Sequence, residues 1–248
     1  MAIIIFILGT IIGSFLNVCI YRIPNEVSIA YPPSHCYSCE HKLGFLDLVP
    51  IMSFVFLKGK CRYCGAKFSV RYPMIEGLTG LLFLGVYINY GLSLLTIKYL
   101  IFTAYLIVIT FIDLDYMIIP DQANIVALAM GIPFLVVGNL RANFFSAVVG
   151  LLIGAGIIAF IRFISRGGMG DGDIYLMGVV GFYIGYEILG VQFLLALITA
   201  SLVSLFLIIT KIKSKKDFIP FGPFIAIGAW VASIWGISIL NWYKNIFL

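Results

Sequence analysis

The sequence contains few charges: 16 basic and 11 acidic residues among 248, so that only 11% of the chain is charged. Soluble domains are about 25% charged and about 45–50% apolar, whereas this chain is 62% apolar. A soluble globule of this size could not bury so much apolar surface. The same figures exclude disordered, collagen-like and small disulfide-rich secreted chains. We therefore expect a polytopic membrane protein whose principal partner is the lipid bilayer.

Three further features are missing. The apolar residues form continuous runs without the alternation of an outer-membrane barrel. The first run has neither basic residues before it nor a small-residue cleavage site after it, which favours a retained helix over a signal peptide. No basic patch is interleaved with stacking aromatics, so nucleic-acid binding is not predicted.

Eight apolar runs predict an all-α polytopic membrane protein with about eight transmembrane helices, since a hydrocarbon core ~30 Å thick needs ~20 residues per helix. The runs cover residues 2–21, 77–95, 97–112, 122–139, 143–161, 174–188, 189–210 and 219–242. A polar insert separates the first two. The predicted domains are therefore transmembrane helix 1 (1–21), the insert (22–75) and a seven-helix transmembrane domain (76–248).

The charges are distributed unevenly over the predicted loops. Alternating the loops across the membrane places 13 of the 16 basic residues, and ten of the 11 acids, on one side. The positive-inside rule makes that side cytosolic. We expect the insert on the cytosolic side of the membrane, with both termini outside.

The insert contains two Cys-x-x-Cys pairs, Cys36/Cys39 and Cys61/Cys64, separated by 21 residues. Each pair places two thiolates on one turn, and the four together predict a tetrahedral zinc site. Four cysteine ligands close the coordination sphere, so the zinc would be structural. Two disulfides, a redox pair or four unrelated buried thiols are the alternatives; disulfides are rare in a reducing compartment.

Five acids lie at the ends of apolar runs. They are Asp113, Asp115 and Asp121 near the end of the third run, and Asp171 and Asp173 in a glycine-rich stretch before the sixth. Acids near membrane depth are functional candidates. Two neighbouring carboxyls share one proton, and such a pair can hydrolyse a peptide bond.

The acids also have structural interpretations. All five are compatible with helix caps or loop positions at the membrane interface. Asp121 follows a proline at the start of the fourth run and suits an N-cap. Glu76 opens the second run, where the helix macrodipole favours an acid.

Several segments resemble the bacterial type IV prepilin peptidases. They occur in family order between residues 13 and 224: Gly13–Pro24, the paired Cys-x-x-Cys motifs, Arg71–Gly80, Ile112–Asp121, Gly168–Asp173 and Ile219–Phe224. The resemblance implies an intramembrane aspartic protease of the GxGD type. Such enzymes remove the basic leader of prepilins or pseudopilins after a glycine at the cytosolic face. Members with the cysteine tetrad often also methylate the new N-terminus with S-adenosylmethionine, for pilus assembly or protein secretion.

The resemblance also implies the catalytic residues. Asp113 matches the first catalytic aspartate of the family. The glycine stretch contains two GxGD registers, ending at Asp171 and Asp173; the motif context favours Asp173. Tyr175 stands where the family has lysine, which removes a cation near the two acids.

Other functions remain open from the sequence. Intramembrane acids also relay protons in secondary transporters, and the insert is compatible with a non-catalytic platform for pilus or secretion machinery. A methyltransferase without protease activity is a further alternative. No glycine-rich nucleotide fingerprint marks a methyl-donor site, and the sequence specifies neither the prepilin nor the oligomeric state.

Overall fold

The computed structural model of the chain describes residues 1–136, 140–214 and 217–247. Over these ranges it is helical, and its only β-structure is two isolated bridges. The chain divides into two compact units, Met1–Thr96 and Ile97–Leu248.

The first unit pairs two long helices. Its elements are α1 (Ala2–Arg22), a 3-10 helix (Phe45–Asp47), α2 (Met52–Phe56) and α3 (Arg71–Tyr90). The backbones of α1 and α3 touch at Gly9 and Gly80. A Cβ atom added at Gly9 would lie only 2.7 Å from Gly80 Cα. The Asn17 amide on α1 donates a hydrogen bond of 3.2 Å to the Tyr72 carbonyl. The long polar segment between the helices is thereby anchored at both ends.

The second unit is organised around one buried helix. Its elements are α4 (Leu94–Tyr116), which begins just before the unit boundary, α5 (Asp121–Gly131) with a 3-10 extension (Ile132–Val136), α6 (Leu140–Ile164), α7 (Asp171–Ile184), α8 (Leu189–Ile209) and α9 (Gly222–Phe247). α7 packs against α5, α6 and α9. Residues 176–184 of α7 are all buried. A helix that is apolar on every side needs neighbours around it, so α7 lies inside the unit.

Glycines allow α6 and α7 to touch along their backbones. A Cβ atom at Gly150 would collide with the Gly181 carbonyl, and one at Gly154 would collide with the Met177 carbonyl. Small residues four positions apart are a common device for close helix packing in membranes. This contact determines where α7 lies.

Five of the described helices are long and apolar enough to cross a membrane. They are Ala2–Arg22, Leu94–Tyr116, Asn143–Ile164, Leu189–Ile209 and Gly222–Ile246. α8 exposes many large apolar side chains, as expected for a helix in contact with lipid. The all-helical membrane class is confirmed.

Each of the eight predicted runs overlaps a described helix, but α3, α5 and α7 are not among the five candidate spans. The count of eight spans therefore stays a prediction. The end of the fourth run, 137–139, and the basic residues Lys215 and Lys216 lie outside the described residues.

The helix-terminal roles predicted for two acids, Asp121 and Glu76, are wrong. Pro120, with extended backbone angles, occupies the N-cap of α5, so that Asp121 is the first helical residue and makes no cap. α3 begins at Arg71 because Pro73 is tolerated in a first helical turn, and Glu76 consequently lies in the second turn. Glu76 is buried rather than exposed at a helix terminus.

The α6–α7 contact predicts opposite effects for two alanine substitutions. Gly150→Ala forces the helices apart and should cost about 1–3 kcal/mol of stability, a fall of roughly 2–12 °C in Tm. A Cβ atom added at Gly156, on the same helix, would meet no neighbouring atom. Gly156→Ala should leave Tm unchanged or raise it, because alanine favours helix. Thermal unfolding of the purified protein measures both, and equal Tm values for the two variants would contradict this packing.

Candidate active site and metal centre

Asp113 lies near the end of α4 and is only 6% exposed. Its Oδ2 atom accepts a hydrogen bond of 2.9 Å from the backbone N–H of Gly222, the first residue of α9. A charged side chain buried in this way is costly without such a partner. The start of α9 therefore holds the Asp113 carboxyl group in place.

Asp173 lies in the first turn of α7 and is 8% exposed. Its Oδ2 atom accepts a hydrogen bond of 3.2 Å from the N–H of Gly170, the N-cap residue. The partial positive charge of the helix N-terminus also favours an acid here. The Asp113 and Asp173 carboxyl groups lie within range of mutual electrostatic repulsion. Two buried acids, one on α4 and one on α7, are thus neighbours in the second unit.

The other three acids have different surroundings. Asp115 and Asp121 are exposed. The Asp171 side chain is 67% exposed and forms an ion pair with Arg162, at the end of α6. Tyr175, at the position of the family lysine, is 56% exposed. Of the five acids, the two predicted as catalytic are the buried ones.

The backbone N–H of Gly222 is a partner of the Asp113 carboxyl group that the sequence patterns did not reveal. A Cβ atom at this position would lie 2.6 Å from Asp113 Oδ2. Glycine therefore allows α9 to approach the carboxyl group closely. The segment Ile219–Phe224 contributed to the family resemblance, but its contact with a residue 109 positions away is not readable from the pattern.

The four cysteines of the first unit converge on one point. The Sγ atoms of Cys36, Cys39, Cys61 and Cys64 all lie within 4.8 Å of one another. The Sγ atoms of Cys36 and Cys64 are 3.8 Å apart, which matches the edge of about 3.8 Å in a tetrahedron with Zn–S bonds of ~2.3 Å. All four cysteines are free thiols, in contrast to the disulfide alternative. The donor set fits a structural zinc ion.

The two cysteine turns are built alike. In the first turn, the N–H of Cys36 donates to the His41 carbonyl and the Cys36 carbonyl accepts from Glu40. In the second turn, Cys61 makes the same two bonds with Ala66 and Gly65. Such turns direct both thiols of a pair to one side, where a metal can join them.

The first turn also favours the ionised ligand. Hydrogen bonds from the backbone N–H groups of Ser38 and Cys39 lower the pKa of the Cys36 thiol to about 6. A thiolate is the form that binds zinc. One sulfur is therefore already suited to metal binding near neutral pH.

Comparisons with known proteins agree with this arrangement. Residues 7–90 match the model for the bacterial peptidase A24 N-terminal domain, and residues 100–209 match that for the type IV leader peptidase family. The prepilin leader peptidase/N-methyltransferase of Aeromonas hydrophila is 34% identical, covering 98% of this chain and 94% of its own.

The chain belongs to the type IV leader peptidase family. The similarly named proteins of Bacillus subtilis and Neisseria gonorrhoeae are 35% and 32% identical, covering 97% and 96% of this chain and 96% and 92% of their own. The resemblance drawn from the motifs is thus confirmed. No solved structure matches the chain. The names of these family members favour peptidase and methyltransferase activity over the transporter and assembly-platform alternatives.

The cysteine geometry predicts about one zinc ion per chain in the purified protein. Cys61→Ser removes one ligand and should reduce bound zinc and Tm together, since metal binding contributes to folding. Elemental analysis and thermal unfolding measure the two effects.

Cys19→Ala is the matched control, because Cys19 is buried in α1 and outside the tetrad. It should retain about one zinc ion per chain. Protein that is folded without zinc, or an equal loss of zinc in the control, would contradict the assignment.

Proposed function

We propose that this chain is an intramembrane aspartic endopeptidase that removes the leader from type IV prepilins or pseudopilins and then methylates the new N-terminus. The observation that carries the proposal is the pair Asp113 and Asp173: two buried carboxyls from different helices, each held by one backbone N–H group. The names of the family members supply the substrate class and the second activity.

The chemistry follows from the pairing of the acids. Two neighbouring carboxyl groups share one proton, because both cannot be ionised at once. The ionised group takes a proton from water, whose oxygen attacks the peptide carbonyl. The protonated group donates a hydrogen bond to the carbonyl oxygen. The C–N bond then breaks and the leaving nitrogen receives a proton.

Methylation requires a second set of groups. The amine nitrogen takes a methyl group from the sulfonium of S-adenosylmethionine, the electron pair of the broken C–S bond stays on sulfur, and the amine proton passes to water.

The proposal includes the arrangement in the membrane. The one-sided charge distribution supports a cytosolic insert (22–75) with a structural zinc ion, between transmembrane helix 1 (1–21) and a seven-helix protease domain (76–248) in a bacterial cytoplasmic membrane. The active site would face the cytosol and both termini the outside. A prepilin would place its basic leader in the cytosol and its apolar stem in the lipid.

Replacing either catalytic acid should abolish cleavage. Asp113→Asn or Asp173→Asn removes one member of the acid–base pair and should reduce the rate by at least about 10²-fold. Intact-mass analysis after incubation with a prepilin measures leader removal, and Tm and zinc content report on folding. Asp171→Asn is the control, since Asp171 is exposed and should be dispensable. Full activity in Asp113→Asn or in Asp173→Asn would refute the assignment, and so would an equal loss of activity in Asp171→Asn.

The hydrogen bond from the Gly222 N–H to the Asp113 carboxyl group predicts a separate effect on kcat. Gly222→Ala places a Cβ atom against the Asp113 carboxyl group and must displace it. Since a misplacement of ~1 Å can cost about 10²-fold in rate, kcat should fall by that order with little change in KM. Gly190→Ala on α8, where no atom lies near the new methyl group, should leave kcat unchanged. Wild-type kcat in Gly222→Ala would exclude a positioning role for α9.

A further inference from the structure

One stretch of the predicted polar insert is itself apolar. Ten of the 13 residues at 45–57 are apolar, and Asp47 is the only charged one. The stretch contains the 3-10 helix and α2, which contact each other. An apolar segment of about 10–14 residues is too short to span a bilayer, but it is the length of a re-entrant or interfacial segment. The depth of this stretch relative to the spanning helices therefore matters.

Hydrogen bonds place the start of α2 beside the middle of α1 rather than beyond its end. The Ile51 N–H donates a bond of 2.7 Å to Glu76 Oε2 on α3. The Glu76 side chain also bonds to Ser14 on α1, and a Cβ atom at Gly13 would lie 2.8 Å from Glu76 Cα. Ser14 precedes Arg22, the last residue of α1, by about 12 Å along the helix. Because α1 is a candidate membrane span, α2 begins at membrane depth.

The outward face of α2 is apolar at this depth. Val55 and Phe56 are 62% and 75% exposed, and Met52 is also exposed. Phe54 instead packs on the buried Gly59, where an added Cβ atom would lie 2.9 Å from its ring. An exposed apolar surface marks an interaction site. At the depth of a spanning helix, the partner that such a surface fits is the acyl part of the bilayer.

The backbone of this stretch is also suited to an apolar environment. Where water is absent, each backbone N–H group needs a partner within the protein. Backbone carbonyls of residues 49–54 accept hydrogen bonds from the N–H groups of Ser53, Val55, Leu57 and Gly59. Pro50 has no N–H group. At Ile51, where φ is +60°, the Glu76 carboxyl group accepts the bond. These backbone groups therefore do not require water.

Charged residues lie near the two ends of the apolar stretch. Asp47 is paired with Arg62 at a distance of 2.7 Å. Lys58 and Lys60 follow α2 closely, and both are exposed. Lysines at the edge of a membrane-bound apolar segment attract the anionic phosphate groups of lipids. The charges therefore suit a segment that enters the bilayer from its headgroup side.

We propose that residues 45–57 enter the bilayer as a re-entrant segment. Met52, Val55 and Phe56 contact lipid acyl chains, and the lysines that follow α2 contact anionic headgroups. The predicted insert is thereby divided into a membrane-bound stretch and a polar part that carries the cysteine turns. The inference goes beyond the proposed peptidase, since it depends only on the membrane class and on contacts within the first unit.

Photolabelling of the unaltered full-length protein tests the proposal. The protein is reconstituted into vesicles of phosphatidylethanolamine and phosphatidylglycerol that contain a phospholipid with a diazirine in its acyl chain. After illumination, tryptic peptides are mapped for lipid adducts. Cleavage at Lys42 and Lys58 isolates residues 43–58, and this peptide should carry adducts because it holds the outward face of α2.

The neighbouring tryptic peptide, residues 23–42, is the matched control in the same chain. It contains Tyr31, which is as exposed as Phe56 but lies beside the end of α1, where Arg22 donates a hydrogen bond to the Pro32 carbonyl. It should therefore carry several-fold less label. The absence of adducts on residues 43–58, or equal labelling of the two peptides, would overturn the proposal.

A spin label distinguishes lipid from a protein partner on this surface. Phe56→p-acetylphenylalanine, with Tyr31→p-acetylphenylalanine as its control, accepts a nitroxide without reaction at cysteine, so the zinc ligands stay unmodified. In the same vesicles, the label at position 56 should collide more often with oxygen, which concentrates in lipid, than with a water-soluble nickel chelate. The label at position 31 should show the reverse preference. Thermal unfolding reports that each variant is folded.

Two results of this measurement would overturn the proposal. Frequent collision of the position 56 label with the nickel chelate would show that the surface is in water. Protection of that label from both reagents would show that protein covers the surface, either a second copy of the chain or another partner.

Discussion

Burial of charge is the constraint on which this structure depends. The chain has few ionisable groups, and a charge removed from water must be held by hydrogen bonds or an opposite charge. Asp113 and Asp173 meet this requirement through one backbone N–H group each, at the starts of α9 and α7. Each bond leaves the carboxyl group free to accept or donate a proton. A full ion pair, such as Arg162 with Asp171 at the surface, would reduce that capacity.

The position of α7 follows from packing rather than from charge. α6 and α7 approach so closely that their glycine backbones touch, and α7 is covered by its neighbours along most of its length. A helix fixed so firmly carries Asp173 at its N-terminal end in a defined position. Under the proposed function, the polar N-terminal end of this buried apolar helix is where water and a peptide would react. Precise placement of this kind is the main requirement for acid–base catalysis.

The two units carry different groups. The second unit holds the acid pair, and the first holds the cysteine tetrad and a cavity whose lining includes Arg22 and Glu76. A zinc ion in the first unit would stabilise a segment between α1 and α3 whose buried apolar residues are two of the cysteines, Cys36 and Cys61.

Sequence patterns alone were enough for the membrane class, the helical runs, the family and the convergence of the four cysteines, because apolar length and ligand spacing are local properties. Local backbone detail was less predictable, since Pro120 displaced Asp121 from the N-cap position. Three features are visible only in the folded chain. Asp113 and Asp173 are both buried, the Gly222 N–H donates a hydrogen bond to Asp113, and Arg22 and Glu76 line the same cavity. Such contacts join segments far apart in sequence, so they depend on how whole helices pack.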